Sequence, residues 1–338
     1  MLKVGSRIGD YEILDVLQSS KKEVVYKVNN TVARRIEAMK VLSESSQKDM
    51  ESLERFLREI RLHAKLQHPN IVSFYHATQL NGITVLTTEY VEGVTVAEKL
   101  EQGPIALPTA AGWLTQVLAA LDHAHTNQIL HREVTPEHII ILEDDSVKLG
   151  GFGLAKAKGD LSLTQVGTTL GAVAYMSPEQ IKGRADIDFR TDIYSAGMVF
   201  WEMVTGRKPF QTTSDFEMML AHVQREVPLI ASVNRSLPTS LDLVIQRALA
   251  KNPTDRFPTA QSFAMALSDF RESSRVVAFE ISESKPKITP VAMPKPVVAA
   301  AWPAAPAKSA QRNDQILTAL LGLALVVIVF WTATLIAQ

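Results

Sequence analysis

The alternation of apolar and polar positions changes period along this chain, and the changes divide it into parts. In residues 11–42 the runs YEIL, EVVYKV and IEAMKVL alternate and are rich in β-branched side chains, as half-buried strands require. The segment DMESLERFLREIRLHAKL then switches to a helical period, with Leu53, Phe56, Leu57, Ile60 and Ala64 on one stripe and charges elsewhere. ITVLTTEYV (83–91) reads as strand again. Beyond it the texture is helical, most clearly in TAAGWLTQVLAALDHAHTN and DIYSAGMVFWEMVTG. No internal repeat is visible. The pattern predicts an α+β architecture: a small β-rich lobe (11–91), then a larger α-rich lobe (92–275), with any ligand in the cleft between them.

Outside that body the periodicity fails in two different ways. Residues 1–10 read as an N-terminal lead. Residues 276–314 form a Pro/Ala-rich linker in which Pro286, Pro290, Pro294, Pro296, Pro303 and Pro306 lie among Ala, Val and Lys, a semi-extended tether. Residues 315–338 carry no charged side chain, and ILTALLGLALVVIVFWTATLIA (316–337) is predominantly apolar. At about 1.5 Å per residue such a helix reaches roughly 33 Å, enough for a hydrocarbon core of about 30 Å. A buried soluble helix is the bland alternative, but an apolar run this long reads as a single-pass C-terminal anchor. Lys308 and Arg312 precede it, so the positive-inside bias places the body on the cytoplasmic face of the membrane. The first residues, MLKVGSRIGDYEIL, lack the apolar stretch of a signal peptide.

Composition narrows the chemistry. A net charge of −1 gives no whole-chain reason to expect a nucleic-acid partner, and none is expected. The absence of cysteine excludes disulfides, thiolate metal sites and cysteine nucleophiles.

A set of short motifs then falls in a telling order. AMK (38–40) lies in a strand and Glu59 of REI on the next helix. HRE-x-x-P-x-H follows at 131–138, GFG at 151–153, SPE at 177–179, D-x-x-S-x-G at 192–197, and NPTDRF ends on Arg256 and Phe257. Any one of these is weak, but the ordered set resembles the eukaryotic-type (Hanks-type) bacterial serine/threonine protein kinases, in their membrane-anchored form. The resemblance covers about residues 11–270 and implies a bilobal kinase fold. It implies that Lys40 pairs with Glu59 and reaches a nucleotide's phosphates. It places Val25 and Ala38 above an adenine ring, Ile140 below, Thr88 at the gate and the backbone of Glu89 to Val91 as the hinge. The same apolar residues could instead form a closed core. His131, Arg132 and Phe152 correspond to packing positions, Glu179 and Arg256 to a buried brace, and Asp192 to the anchor of the catalytic loop. Thr164, Thr168 and Thr169 offer hydroxyls for phosphorylation in trans, with Arg132 as phosphate partner, or are ordinary polar loop residues.

The departures cluster where phosphate and metal chemistry would occur. Gln18, Ser20 and Glu23 occupy the glycine positions of the phosphate loop, within LQSSKKEVVY. Gly151 stands where the family places a metal-binding aspartate, and His138 where it places a metal-binding asparagine. A glycine offers no ligand, and an imidazole is a mismatched partner for a hard cation that wants oxygens. Thr135 replaces a lysine that steadies the terminal phosphate. Glu133 keeps the carboxylate of the general base, displaced by a methylene, and misplacement of about an ångström can cost ~10²-fold. Asp144 and Asp145 sit on a turn between two strands. Phosphoryl transfer is nearly all positioning and charge neutralisation. The sequence therefore points to a catalytically inactive pseudokinase that works through protein partners (an active kinase, its substrate or another signalling protein). No cofactor is expected on that reading. ATP and Mg²⁺ enter only under the alternative, an active or feebly active kinase with Glu133 as base and Lys40 on the phosphates.

Overall fold

Six short antiparallel strands account for the first texture. They are β1 (Arg7–Ile8), β2 (Tyr11–Ser19), β3 (Glu23–Asn30), β4 (Arg35–Leu42), β5 (Phe74–Leu80) and β6 (Ile83–Glu89), ordered β1-β2-β3-β4-β6-β5 in one sheet. A computed structural model describes residues 2–152, 156–157 and 172–272. Gly153, Thr164, Thr168, Thr169, the whole linker 276–314 and the apolar run 316–337 lie outside them. The N-terminal lead contributes β1, whose Ile8 is buried in the sheet's core.

Period-2 alternation gives the sheet two distinct faces. Ile13, Val24, Tyr26, Val28, Met39, Val41 and Val85 pack together on one. On the other, the register sets Val25 opposite Lys40 and Lys40 opposite Leu86, with Lys27, Ala38 and Thr88 forming the next row. That second face meets helix α2 (Met50–His63), which follows the single turn α1 (Glu44–Gln47) and packs Phe56 against Leu42 and Leu86. Asp49 caps α2 by accepting the Ser52 N–H. The buried side of α2 is Phe56, Glu59, Leu62 and His63, whereas Ala64 is exposed and closes the helix as its C-cap. The apolar stripe read from the sequence is thus rotated. Two polar residues, Glu59 and His63, are turned inward because each has a partner there.

The larger lobe is built around α6 (Arg190–Thr205), in which every residue from Thr191 to Val204 is buried. A helix buried all round must be the centre of its lobe. Around it lie β7 (Val94–Thr95), α3 (Val96–Leu100), α4 (Leu107–Thr126), β8 (Ile129–Leu130), β9 (Ile139–Ile141), β10 (Val147–Leu149) and β11 (Lys156–Ala157). They are followed by α5 (Pro178–Ile181), α7 (Asp215–Gln224), α8 (Ile230–Val233), α9 (Ser240–Ala248) and α10 (Ala260–Glu272). Gly197 lets α9 approach α6 closely: a Cβ there would lie 3.0 Å from Leu249 Cδ2 and 3.2 Å from Ala248 Cβ. The β9–β10 turn holds Asp144 and Asp145, as expected. Asp145 accepts from the Trp113 indole at 3.3 Å and Asp144 binds Ser146 within the turn. Among the described residues no helix is long and apolar enough to cross a membrane.

Candidate functional site: a cleft closed by its own side chains

The loop after β8 is held from beneath by α6. The fully buried Asp192 accepts the backbone N–H groups of His131 (2.9 Å) and Arg132 (2.8 Å) and pairs with His125 Nε2 at 2.8 Å. Burial pushes its carboxyl up, but the His125 bond and charge and these donors hold it below the ordinary aspartate value. Arg132 adopts a left-handed conformation (φ 68°), and Gln180 fixes its carbonyl with a 2.9 Å bond. This local strain persists because neighbouring groups determine it. Glu179 and Arg256 form a buried bidentate pair at 2.6 and 2.8 Å, the brace that the resemblance implies.

Three rings connect this loop to the smaller lobe. His131 meets Phe152 edge-on at 4.6 Å, and Phe152 stacks on His63 of α2 at 5.5 Å. His131 Nε2–H donates to the Gly150 carbonyl (2.7 Å) while its Nδ1 accepts the Glu133 N–H (3.2 Å), so the ring is neutral. Burial lowers its pKa to about 4 even with Asp192 nearby.

At the cleft face, Lys40 Nζ lies 3.0 and 3.1 Å from the two carboxylate oxygens of Glu59. It also lies 2.8 Å from Glu23 Oε2. Burial alone would depress the ammonium, but Glu59 and Glu23 hold it above the usual lysine value. Burial raises the Glu59 carboxyl; Lys40 opposes the shift and Glu23 adds to it. Glu133 is likewise raised by burial, against His138 and Lys40 and with help from Glu23 and Glu59. One ammonium therefore serves three acidic side chains.

His138 and Gly151 form a second contact. Gly151 has φ 79°, and a Cβ added there would fall 2.4 Å from His138 Cγ and 2.5 Å from Nδ1. The imidazole lies where a side chain at 151 would have to go. His138 Nδ1–H donates to the Glu133 carbonyl at 2.8 Å, with the Thr135 hydroxyl 3.3 Å away. Among the described residues no three His, Cys, Asp or Glu side chains could jointly hold a metal ion. The donor set does not fit Mg²⁺: one position has no side chain and the second presents a ring locked onto backbone.

The residues assigned to a nucleotide wall, Val25, Ala38, Thr88, Val91 and Ile140, are all partly exposed rather than sealed in the core. The side chain of Glu89 is turned from the cleft, accepting from Ser73 (3.1 Å to N, 3.0 Å to Oγ) and pairing with Lys148 at 2.9 Å. Sequence reasoning placed Glu23 near the phosphates but missed its contact with Lys40. It also missed His63 and Lys148. The first was detectable: once Val25 is opposite Lys40, Glu23 is the diagonal neighbour on the same face.

Comparison with known proteins agrees with this architecture. The family profile for the protein kinase domain matches residues 11–267. The chain is 35% identical over 275 residues to the serine/threonine-protein kinase PrkC of Bacillus subtilis, covering 81% of this chain and 42% of PrkC. It is 32% identical over 304 residues to the serine/threonine-protein kinase PknH of Mycobacterium tuberculosis, covering 89% and 48% respectively. It thus spans less than half the length of these two relatives. The crystal structure of the Mycobacterium tuberculosis PknI kinase domain superposes with a TM-score of 0.62 at 28% identity, covering 80% of this chain and 100% of that domain. The β-rich and helical lobes, the Lys40–Glu59 pair and the Glu179–Arg256 brace all have their place in one family: the chain belongs to the protein kinases.

Proposed function

We propose that this protein is a membrane-tethered pseudokinase: a serine/threonine kinase fold that does not transfer phosphate and acts by binding other signalling proteins. One observation carries the reading. The His138 ring lies against Gly151, so the space for one family metal ligand is filled by the residue that replaces the other. The paired state of Lys40 adds to it, because the ammonium that would meet phosphate already meets two carboxylates. Tethering rests on the apolar run 316–337 and the basic residues before it, and gives a cytoplasmic orientation. Partners would be protein surfaces, as the braced loops and the ring connection keep a kinase shape without its chemistry.

A second reading has one observation in its favour. The Lys40–Glu59 pair is intact and the Glu133 carboxyl is raised, a combination that an active enzyme with Glu133 as base would also need. The two readings separate in a phosphoryl-transfer assay on the purified full chain, with Mg²⁺ or Mn²⁺ and ATP, following both self-labelling and a basic protein substrate. The pseudokinase gives no metal-dependent label above that of Lys40→Met. Turnover that Lys40→Met abolishes would return the chain to the enzymes.

A further inference from the structure

We propose that Glu23 is a built-in occupant of the phosphate subsite, and that the cleft takes an uncharged, flat nucleoside-type ligand while rejecting its phosphorylated forms. The inference rests on the pseudokinase reading and names the ligand class of the same cleft. It begins with register. Glu23 opens β3 on the face that carries Val25 and Lys40, and its side chain reaches diagonally to the ammonium at 2.8 Å. A carboxylate there offers Lys40 the anionic oxygens that a phosphate would offer.

The occupant is held in place rather than loosely poised. Ser20 closes the β2–β3 turn, with its N–H on the Glu23 carbonyl (2.9 Å) and its hydroxyl oxygen accepting from the Lys22 and Glu23 N–H groups (3.2 and 3.1 Å). Ser43, just before α1, pins the same turn from the other side. Its hydroxyl donates to the Lys21 carbonyl at 2.9 Å and its N–H to the Lys22 carbonyl at 2.8 Å. Five hydrogen bonds therefore fix the backbone that presents Glu23. Lys21 and Lys22 contribute their backbone carbonyls to this arrangement.

An entering phosphate would have to displace Glu23 and approach Glu59 and Glu133 at the same time. An uncharged ligand meets no such cost. Its ring would lie against Val25, Ala38, Thr88 and Ile140, which remain partly exposed, and the Glu23–Lys40–Glu59 cluster would stay intact beside it. Glu23 is thus a specificity-determining residue.

The test titrates the full chain, in EDTA, with adenosine, AMP and ADP, by calorimetry and thermal shift. Wild-type protein binds adenosine, with AMP and ADP weaker by ~10-fold or more, the scale of one unfavourable charge contact at a partly exposed site. Glu23→Gln removes the discrimination by raising ADP affinity ~10-fold relative to that for adenosine. Lys40→Met in the Glu23→Gln background abolishes that gain. Glu23→Asp, which keeps the charge but retracts it, falls between wild type and Glu23→Gln and guards against a folding artefact. The proposal is overturned if wild type binds ADP as tightly as adenosine, if Glu23→Gln gains nothing, or if adenosine fails to bind. Each result is separate from the phosphoryl-transfer assay: metal-dependent turnover sinks the pseudokinase reading, whereas inactivity with equal adenosine and ADP binding sinks this inference alone.

Discussion

His138 and Gly151 show how two substitutions become one structural fact. Aspartate tolerates positive φ better than most residues, so the backbone at 151 would accept it. The imbalance is steric: a Cβ at 2.4 Å from an aromatic carbon forces the ring out of its bond to the Glu133 carbonyl. Gly151→Asp alone is therefore expected to lower the melting temperature, by the ~1–3 kcal/mol typical of overpacking, and to bind no Mn²⁺. Adding His138→Asn makes room and recovers the stability. A single variant as stable as the double would show that the ring is not wedged there. The sequence revealed each change separately but not that one residue fills the other's space. Their contact depends on a rotamer and a positive φ, neither of which is written in residue types. The Glu23 contact was closer to legible, since it follows from strand register and side-chain length.

Between elements, the ring series His131, Phe152 and His63 links the loop after β8, the segment after β10 and helix α2. Long elements were readable because many side chains vote on one period, as in β3, β4, α4 and α6. The strands β7, β8 and β11, of two residues each, were not, because so few positions cannot display a period. On α2 the period misled in part: Glu59 and His63 are buried for Lys40 and Phe152, which hydrophobicity cannot foretell. These buried histidines set a pH dependence. Burial lowers the pKa of His131 to about 4 and of His222 to about 3, and lowers His63 as well. Below the unfolded value near 6.5 the unfolded chain takes up protons that the folded chain refuses. The histidines' contribution to stability is therefore full above about pH 6.5 and falls as pH drops toward 4, by up to about 1.4 kcal/mol per pH unit for each group. Chemical denaturation between pH 7 and 4.5 should show this slope, reduced in His131→Gln. A slope unaffected by that change would remove His131 from the account.

For the whole molecule, the kinase fold was legible because its motifs arrive in fixed order over most of the chain, and the family match at residues 11–267 agrees. Within residues 1–10, Arg7–Ile8 forms a strand only by pairing with β2, a tertiary event that no local pattern displays. The proposed tethering belongs to the apolar run 316–337. A chain carrying residues 315–338 is expected to float with lipid vesicles, and one truncated before residue 315 to remain in the aqueous fraction. Equal partitioning of both would remove the anchor from the account. Loss of the anchor should leave the body's melting temperature unchanged.

The central claim is that this cleft lacks the oxygens to seat a divalent ion beside a nucleotide. The most direct measurement is the electron paramagnetic resonance signal of free Mn²⁺ in solution with ATP, recorded before and after adding the full chain. The account predicts that protein leaves the signal unchanged. A protein-dependent loss of free Mn²⁺, abolished by Lys40→Met, would contradict it.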